Sequence, residues 1–286
     1  MKKLITISSR TILIIIILIL NIFNSPKAFS ELKLLEDYPN NATLPHHFRK
    51  STDYIYKSID KNINLTGLDK LNISGSGQFS DSGLSLIKES IPNNFNILNI
   101  DLRQESHGFI DGIAVSFENS KNNANKGLNL SEVLTVENNL LNSIKIGDPI
   151  PFYNTKEIIV PKKVENELEV SISKKISYIR IPVTDGGIPT DDMINYFINI
   201  INKHPKNTWF HFHCKEGIGR TTTFMIMYDI TKNYKDVSLN DIIKRQIILS
   251  NINEGDAEDF YSGKHNKFLI KFYNEYTSSN FKKEAI

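Results

Sequence analysis

The chain has 286 residues, 40% of them hydrophobic and 23% charged, which is enough apolar material for a sizeable core and excludes disorder throughout. Its 34 basic and 32 acidic side chains leave a formal charge of +2, a balance that gives no argument for nucleic acid as a partner. One cysteine excludes an intramolecular disulfide, so the fold rests on its core alone.

In chain order, the first thirty residues stand apart: "MKKLITISSR" carries Lys2, Lys3 and Arg10, the apolar run "TILIIIILILNIF" follows, and small residues Ala28 and Ser30 close the segment. A secretory signal (1–30) cleaved after Ser30 is expected, leaving a domain over 31–286 that is secreted or held in the cell envelope with no stable membrane span. The alternative is an uncleaved N-terminal anchor, for which the apolar run is short against the roughly 20 residues a bilayer span needs. Cleavage removes Lys2, Lys3, Arg10 and Lys27 and no acid, so the mature chain carries 30 basic against 32 acidic side chains, a net of −2.

From Glu31 to about Ile63 the chain is rich in breakers and reads as loop. "LDKLNISGSGQFS" reads as strand and turn, with Ser80 or Ser82 capping the helix "DSGLSLIKESI", and "FNILNIDLR" as a buried strand. Strand, helix and strand in succession predict a crossover unit in a mostly parallel sheet, hence an α/β fold. "QESHGFIDG" is a loop, "SKNNANKG" a polar surface excursion, and "SEVLTVENNLLNSI" a helix capped by Ser131 or Asn129. Residues 148–175 are β-branched and marked by proline without a helical period, which predicts short antiparallel strands inserted into the α/β body. Then come the strand "ISYIRIPV", the loop "TDGGIPTDD", the helix "DDMINYFINIINKHP", the buried strand "TWFHFHC", the helix "RTTTFMIMYDITKNY", and helices around "LNDIIKRQIILS" and "HNKFLIKFYNEY".

The lone thiol, Cys214, ends a strand, and Arg220 opens the helix after it. Between them Lys215, Glu216, Gly217, Ile218 and Gly219 form a loop whose two glycines permit a tight turn with successive amides facing inward. Such a loop before a helix N-terminus suits a tetrahedral oxyanion, and the same field favours thiolate over thiol. Arg220 can donate two parallel hydrogen bonds to phosphate oxygens, and Thr221 can place a hydroxyl near the sulfur. His213 either orients the loop or fills the strand's end.

"HCKEGIGRT" resembles the H-C-x-x-G-x-x-R-[ST] phosphate loop of the protein tyrosine phosphatase superfamily, which works through a phosphocysteine. The resemblance implies a tyrosine-phosphatase-like core and a general acid on a loop upstream of the cysteine. Asp185 of "RIPVTDGGIPTDD" occupies that position; its bland reading is a turn aspartate, while Asp191 and Asp192 suit the start of the next helix.

"LPHHFR", "ISGSGQFS", "DLRQESHGFIDGIAVSF", "YIRIPVTD" and the cysteine block together resemble the bacterial phytases of the tyrosine-phosphatase type, from about Leu44 to Gln246. That family has a small β-barrel insertion, for which 148–175 is the counterpart expected here, and removes phosphates from myo-inositol hexakisphosphate with no metal or other cofactor. The resemblance implies substrate contacts from Arg49, His107, Lys264 and Lys267, and a water-positioning role for Gln246. Three of these have structural alternatives: a solvated charge for Arg49, a strand end braced by a pairing of Asp101 with Arg103 for the loop of His107, and an ordinary helix-surface glutamine for Gln246. One departure is Gly186, where many of these phytases carry histidine after the acid. The expected partner is therefore a small anionic inositol phosphate, with two competing readings: a secreted tyrosine or dual-specificity phosphatase acting on phosphoproteins, and a phosphate-binding module without turnover.

Overall fold

The computed structural model describes residues 32–55 and 62–278; the expected signal, 1–30, lies outside the described residues. The elements run Lys33–Tyr38 (β1), Arg49–Lys50 (β2), Ile73–Ser76 (β3), Asp81–Glu89 (α1), Asn96–Arg103 (β4), His107–Ile110 (β5), Ile113–Glu118 (β6) and Leu130–Ser143 (α2). There follow Ile150–Pro151 (β7), Ile158–Ile159 (β8), Val164–Glu165 (β9), Glu167–Ser173 (α3), Ser177–Val183 (β10) and Asp191–Lys203 (α4). Thr208–His213 (β11), Gly219–Asn233 (α5), Leu239–Ser250 (α6), Glu254–Tyr261 (α7) and Lys264–Thr277 (α8) complete the described chain.

The central sheet has the order β10-β4-β11-β3-β2, with β10, β4, β11 and β3 parallel and only the two-residue edge strand β2 antiparallel. Ile100, Leu102, Ile181, Phe210 and Phe212 are buried in this sheet, as parallel strands covered by helices require, and they pack with Phe197 of α4 and Phe224 of α5. Register aligns His213 with both Ser76 and Asp101, and Val183 with Arg103, so the carboxyl ends of four strands share one edge of the sheet. The four loops that follow them converge there, where open α/β sheets hold ligands.

A second sheet, β1-β6-β5-β9, is antiparallel. Only β9 comes from the stretch 148–175 that was expected to supply inserted strands. That stretch holds three two-residue strands, β7 and β8 pairing only with each other, and it ends in α3 instead of a further strand. The helix forms because Asn166 and Glu169 make a reciprocal capping box and Val170 is fully buried beside Trp209 and Phe79. The expected loop over 31–63 contains β1, and "HGFIDGIAVSF" is the hairpin β5–β6, turned on Asp111 (φ 51°) and Gly112 (φ 81°), both left-handed as an Asp-Gly hairpin turn demands. Helix caps follow the sequence: Ser80 accepts from Gly83, Asn129 makes a capping box with Glu132, and Thr190 caps α4. No helix among the described residues is long and apolar enough to cross a membrane.

Candidate active site

The sulfur of Cys214 sits at the end of β11 with the loop 215–218 folded around it. Gly217 N donates to Cys214 Sγ at 3.3 Å, and Thr221 Oγ1, one turn into α5, lies 3.2 Å from the same sulfur. Gly217 is held at φ 78°, and a Cβ there would come within 2.3 Å of Gly77 N and 2.5 Å of the Ser76 carbonyl carbon. Glycine is therefore required both by conformation and by the close approach of the loop to the end of β3. Among the described residues no side chain caps the N-terminus of α5, so its first-turn amides remain able to receive an oxyanion.

Arg220 lies beneath the loop opening, 3% exposed, its guanidinium fixed by two carboxylates. Glu105 accepts from Nη1 at 2.7 Å and Nη2 at 2.9 Å in a bidentate fork, Val183 O accepts from Nη1 at 3.0 Å, and Asp185 Oδ1 accepts from Nη2 at 2.8 Å. Burial by itself would raise Glu105, but Arg220 and Arg103 outweigh it and hold the carboxyl well below the usual range. Burial likewise works against the charge on Arg220, and Glu105 reverses it, so this cation is fixed. Asp185, on the half-open loop after β10, also accepts from Asn122 Nδ2 at 3.0 Å and from its neighbour Gly186 N at 3.0 Å. Cys214, Thr221, Arg220 and Asp185 thus come together from two loops and one helix end.

Other residues singled out in the sequence lie elsewhere. Arg49 is behind the loop 215–218, donating to Gly217 O at 2.8 Å, His47 O at 2.9 Å and Thr222 Oγ1 at 2.9 Å, so it braces the loop from outside. Burial lowers its pKa to about 10. Lys215 turns its ammonium to Glu118 and to Asp37 (3.2 Å) on the antiparallel sheet, and Glu216 is exposed. His213 presents Nε2 to Glu167 Oε1 at 2.6 Å and packs on Phe79, so its contact is with α3 and not with the loop backbone. Gln246 is fully buried and donates to Asp229 Oδ2 at 2.9 Å. Asp229 is nine residues beyond Arg220 on α5, about 13 Å along the axis, which corrects the water-positioning role and the helix-surface alternative alike. Lys264 reaches Gly186 O of the acid loop and so stands at the rim, while Lys267 is exposed on α8.

His107 is also displaced from its expected role: it is 1% exposed, with Nε2 at 3.3 Å from both Asp101 Oδ2 and Glu167 Oε2 and Nδ1 at 3.5 Å from Glu137. Burial opposes its charge, yet the surrounding carboxylates, Asp101 foremost, raise its pKa to about 10. Asp101, His107 and Glu167 lie close enough to share a metal ion. Arg180 Nε at 3.1 Å from Asp101 and a protonated imidazole between the carboxylates already neutralise them, which makes this a buried ion network and a poor metal centre. The pairing of Asp101 with the Arg103 guanidinium does not form; Arg103 pairs with Asp37 and Glu105, each at 2.8 Å, and only its backbone N–H reaches Asp101.

Glu105 and Asn122 are the site residues that sequence reasoning missed. Glu105 had a signal: a buried arginine at a strand–loop–helix junction needs a counter-charge, and the loop after the neighbouring strand offers one. Asn122 had none, because nothing local ties a loop asparagine to a residue 63 positions away.

A family model described as PTP-like phytase, inositol hexakisphosphate, matches residues 100–232. A PTP-like phytase from Bdellovibrio bacteriovorus superposes with a TM-score of 0.72 and 32% identity, covering 91% of this chain and 95% of that one. The PTP-like myo-inositol phosphatase from Mitsuokella multacida, solved with myo-inositol-(1,3,4,5)-tetrakisphosphate, gives a TM-score of 0.77 and 28% identity over 89% of this chain. This chain spans 46% of that protein. Among curated proteins, the effector protein hopD2 of Pseudomonas syringae pv. tomato is 27% identical over 164 residues, 53% of this chain and 35% of the effector.

Proposed function

Because the chain belongs to the protein tyrosine phosphatase-like phytases, we propose that it is a phosphoric monoester hydrolase acting on myo-inositol polyphosphates through a phosphocysteine on Cys214. The observation that carries the reading is the convergence on one sulfur of a loop amide (3.3 Å) and a hydroxyl (3.2 Å), beside an arginine that an acid already contacts at 2.8 Å.

A phosphate dianion displaces Asp185 from Arg220 Nη2 and takes its place between the guanidinium and the loop amides. The Cys214 thiolate then attacks phosphorus in line with the leaving oxygen: the S–P bond forms, the P–O bond breaks, and the Asp185 proton goes to the leaving alkoxide. Water next attacks the thiophosphate, Asp185 takes its proton, and the S–P bond breaks to return thiolate and inorganic phosphate. Thr221 Oγ1 and Gly217 N stabilise sulfur as the leaving group of this second step. Glu105 keeps the Arg220 fork aimed as the charge moves.

Inositol phosphates are favoured as substrates by the family model and by the ligand of the Mitsuokella relative. Cys214→Ser is expected to abolish phosphate release from inositol hexakisphosphate while retaining binding. Release from phosphotyrosine peptides but not from inositol hexakisphosphate by the wild type would replace this substrate class with phosphoproteins. Export is part of the same reading: protein recovered from the growth medium is expected to begin at Glu31, and full-length chain retained on the membrane would overturn that part.

A further inference from the structure

The Asn-rich excursion "SKNNANKG" has no place in the reaction as derived so far, yet it reaches the acid. Asn122 Nδ2 donates to Asp185 Oδ2 at 3.0 Å, and Asn122 Oδ1 is buried with no hydrogen-bond partner among the described residues. The acid is thus what the Asn122 amide is fixed to.

The excursion is built to hold that contact. Asn119 Oδ1 accepts the backbone N–H of Lys121 (3.2 Å) and Asn123 (3.1 Å), which closes the loop on itself, and Asn122 stands at φ 49° at its apex. Asn125 Nδ2 anchors the base of the loop to Gln104 O and Ser106 Oγ, both at 2.9 Å. Thr184 Oγ1, just before the acid, donates to Gln104 Oε1 at 2.7 Å. The excursion and the acid loop therefore share one footing, the turn that carries Glu105.

We propose that Asn122 is a positioning residue for the general acid. This rests on the reading of Asp185 as that acid. In the free protein Asp185 Oδ1 is held by Arg220 and by the Gly186 N–H, and Oδ2 by Asn122. Substrate phosphate takes Arg220, and the bond to Asn122 is then the side-chain contact left to the carboxyl among the described residues. Asn122 fixes the rotation of the carboxyl through Oδ2 and so leaves Oδ1 facing the place vacated by Arg220. The carboxyl held in this way delivers its proton to the leaving alkoxide as the P–O bond breaks.

The test uses Asn122→Gly, which keeps the left-handed backbone without strain and removes only the amide. Two substrates are compared: inositol hexakisphosphate, whose alkoxide needs a proton, and para-nitrophenyl phosphate, whose phenolate does not. The variant is expected to lose about tenfold in kcat on the inositol substrate, part of the 10²–10⁴ that general acid catalysis supplies, with KM and the para-nitrophenyl phosphate rate unchanged. Equal loss on both substrates, or no loss on either, overturns the proposal. Asp185→Asn is run beside it. If that variant also treats both substrates alike, the acid assignment fails and takes this role with it; if it discriminates and Asn122→Gly does not, only the role of Asn122 falls.

Discussion

Glu105→Gln removes the counter-charge on which Arg220 depends. The carboxylate accepts three charge-assisted hydrogen bonds, from Arg220 Nη1 (2.7 Å), Arg220 Nη2 (2.9 Å) and Arg103 Nε (2.8 Å), and the residue is 4% exposed. Glutamine has one accepting oxygen, so its NH2 must face a guanidinium N–H, donor against donor. Breaking one side of such a buried pair costs on the order of 3–5 kcal/mol, or roughly 6–20 °C in melting temperature at the 2–4 °C per kcal/mol of larger domains. Thermal unfolding with and without inorganic phosphate reads both consequences. The variant is expected to melt lower than wild type and to be stabilised more by phosphate, because the anion replaces the lost charge, and kcat is expected to fall on the order of 10²-fold as the fork loses its aim. The pH sign follows from the depressed carboxyl of Glu105: its stabilisation is present above the ordinary value of 4.5 and is lost as pH falls below it. The wild type therefore loses its advantage over the variant in acid. A variant that melts with the wild type and responds to phosphate equally would refute the reasoning.

Gly217→Ala must move the loop, since its Cβ would lie 2.3 Å from Gly77 N; kcat is expected to drop on the order of 10²-fold, and unchanged turnover in a steady-state assay would contradict the required close approach. His107, raised to about 10, binds its proton more tightly folded than unfolded, so it adds stability that is full below pH 6.5 and lost as pH rises through about 10. Denaturant unfolding across that window is expected to show a falling slope that His107→Gln flattens; the same slope in both proteins would place the proton elsewhere. Gln246→Ala is expected to lower the melting temperature through Asp229 while the rate of thiophosphate hydrolysis in single turnover stays unchanged, and a slowed second step would return the residue to the site.

What the sequence disclosed was local. The strand, loop and helix from Trp209 to Ile230 lie within one stretch, so periodicity and the spacing of Cys214, Gly217 and Arg220 were enough to place these three residues together at the carboxyl edge of a parallel sheet. Asp185 was accessible for a similar reason, lying in the loop just after the preceding core strand, β10. The contacts that tune this site are long-range: Glu105 and Arg220 are 115 residues apart and Asn122 and Asp185 are 63 apart, distances over which no pattern of hydrophobic residues speaks. Arg49 and His107 were read as loop residues but lie in strands β2 and β5, and their side chains turn into buried networks that only packing determines. The antiparallel sheet was missed where its strands are half-exposed, as in β1, or hidden in an Asp-Gly hairpin read as loop. The helix α3 was missed because it is short and depends on the Asn166 and Glu169 cap more than on amphipathic period.

Trapping the covalent intermediate tests the account most directly. Rapid acid quench of the wild-type enzyme with radiolabelled inositol hexakisphosphate, followed by proteolysis, is expected to give labelled phosphate on the peptide that contains Cys214 and nowhere else. Label on a different residue, or steady turnover with no protein-bound phosphate at any quench time, would contradict it.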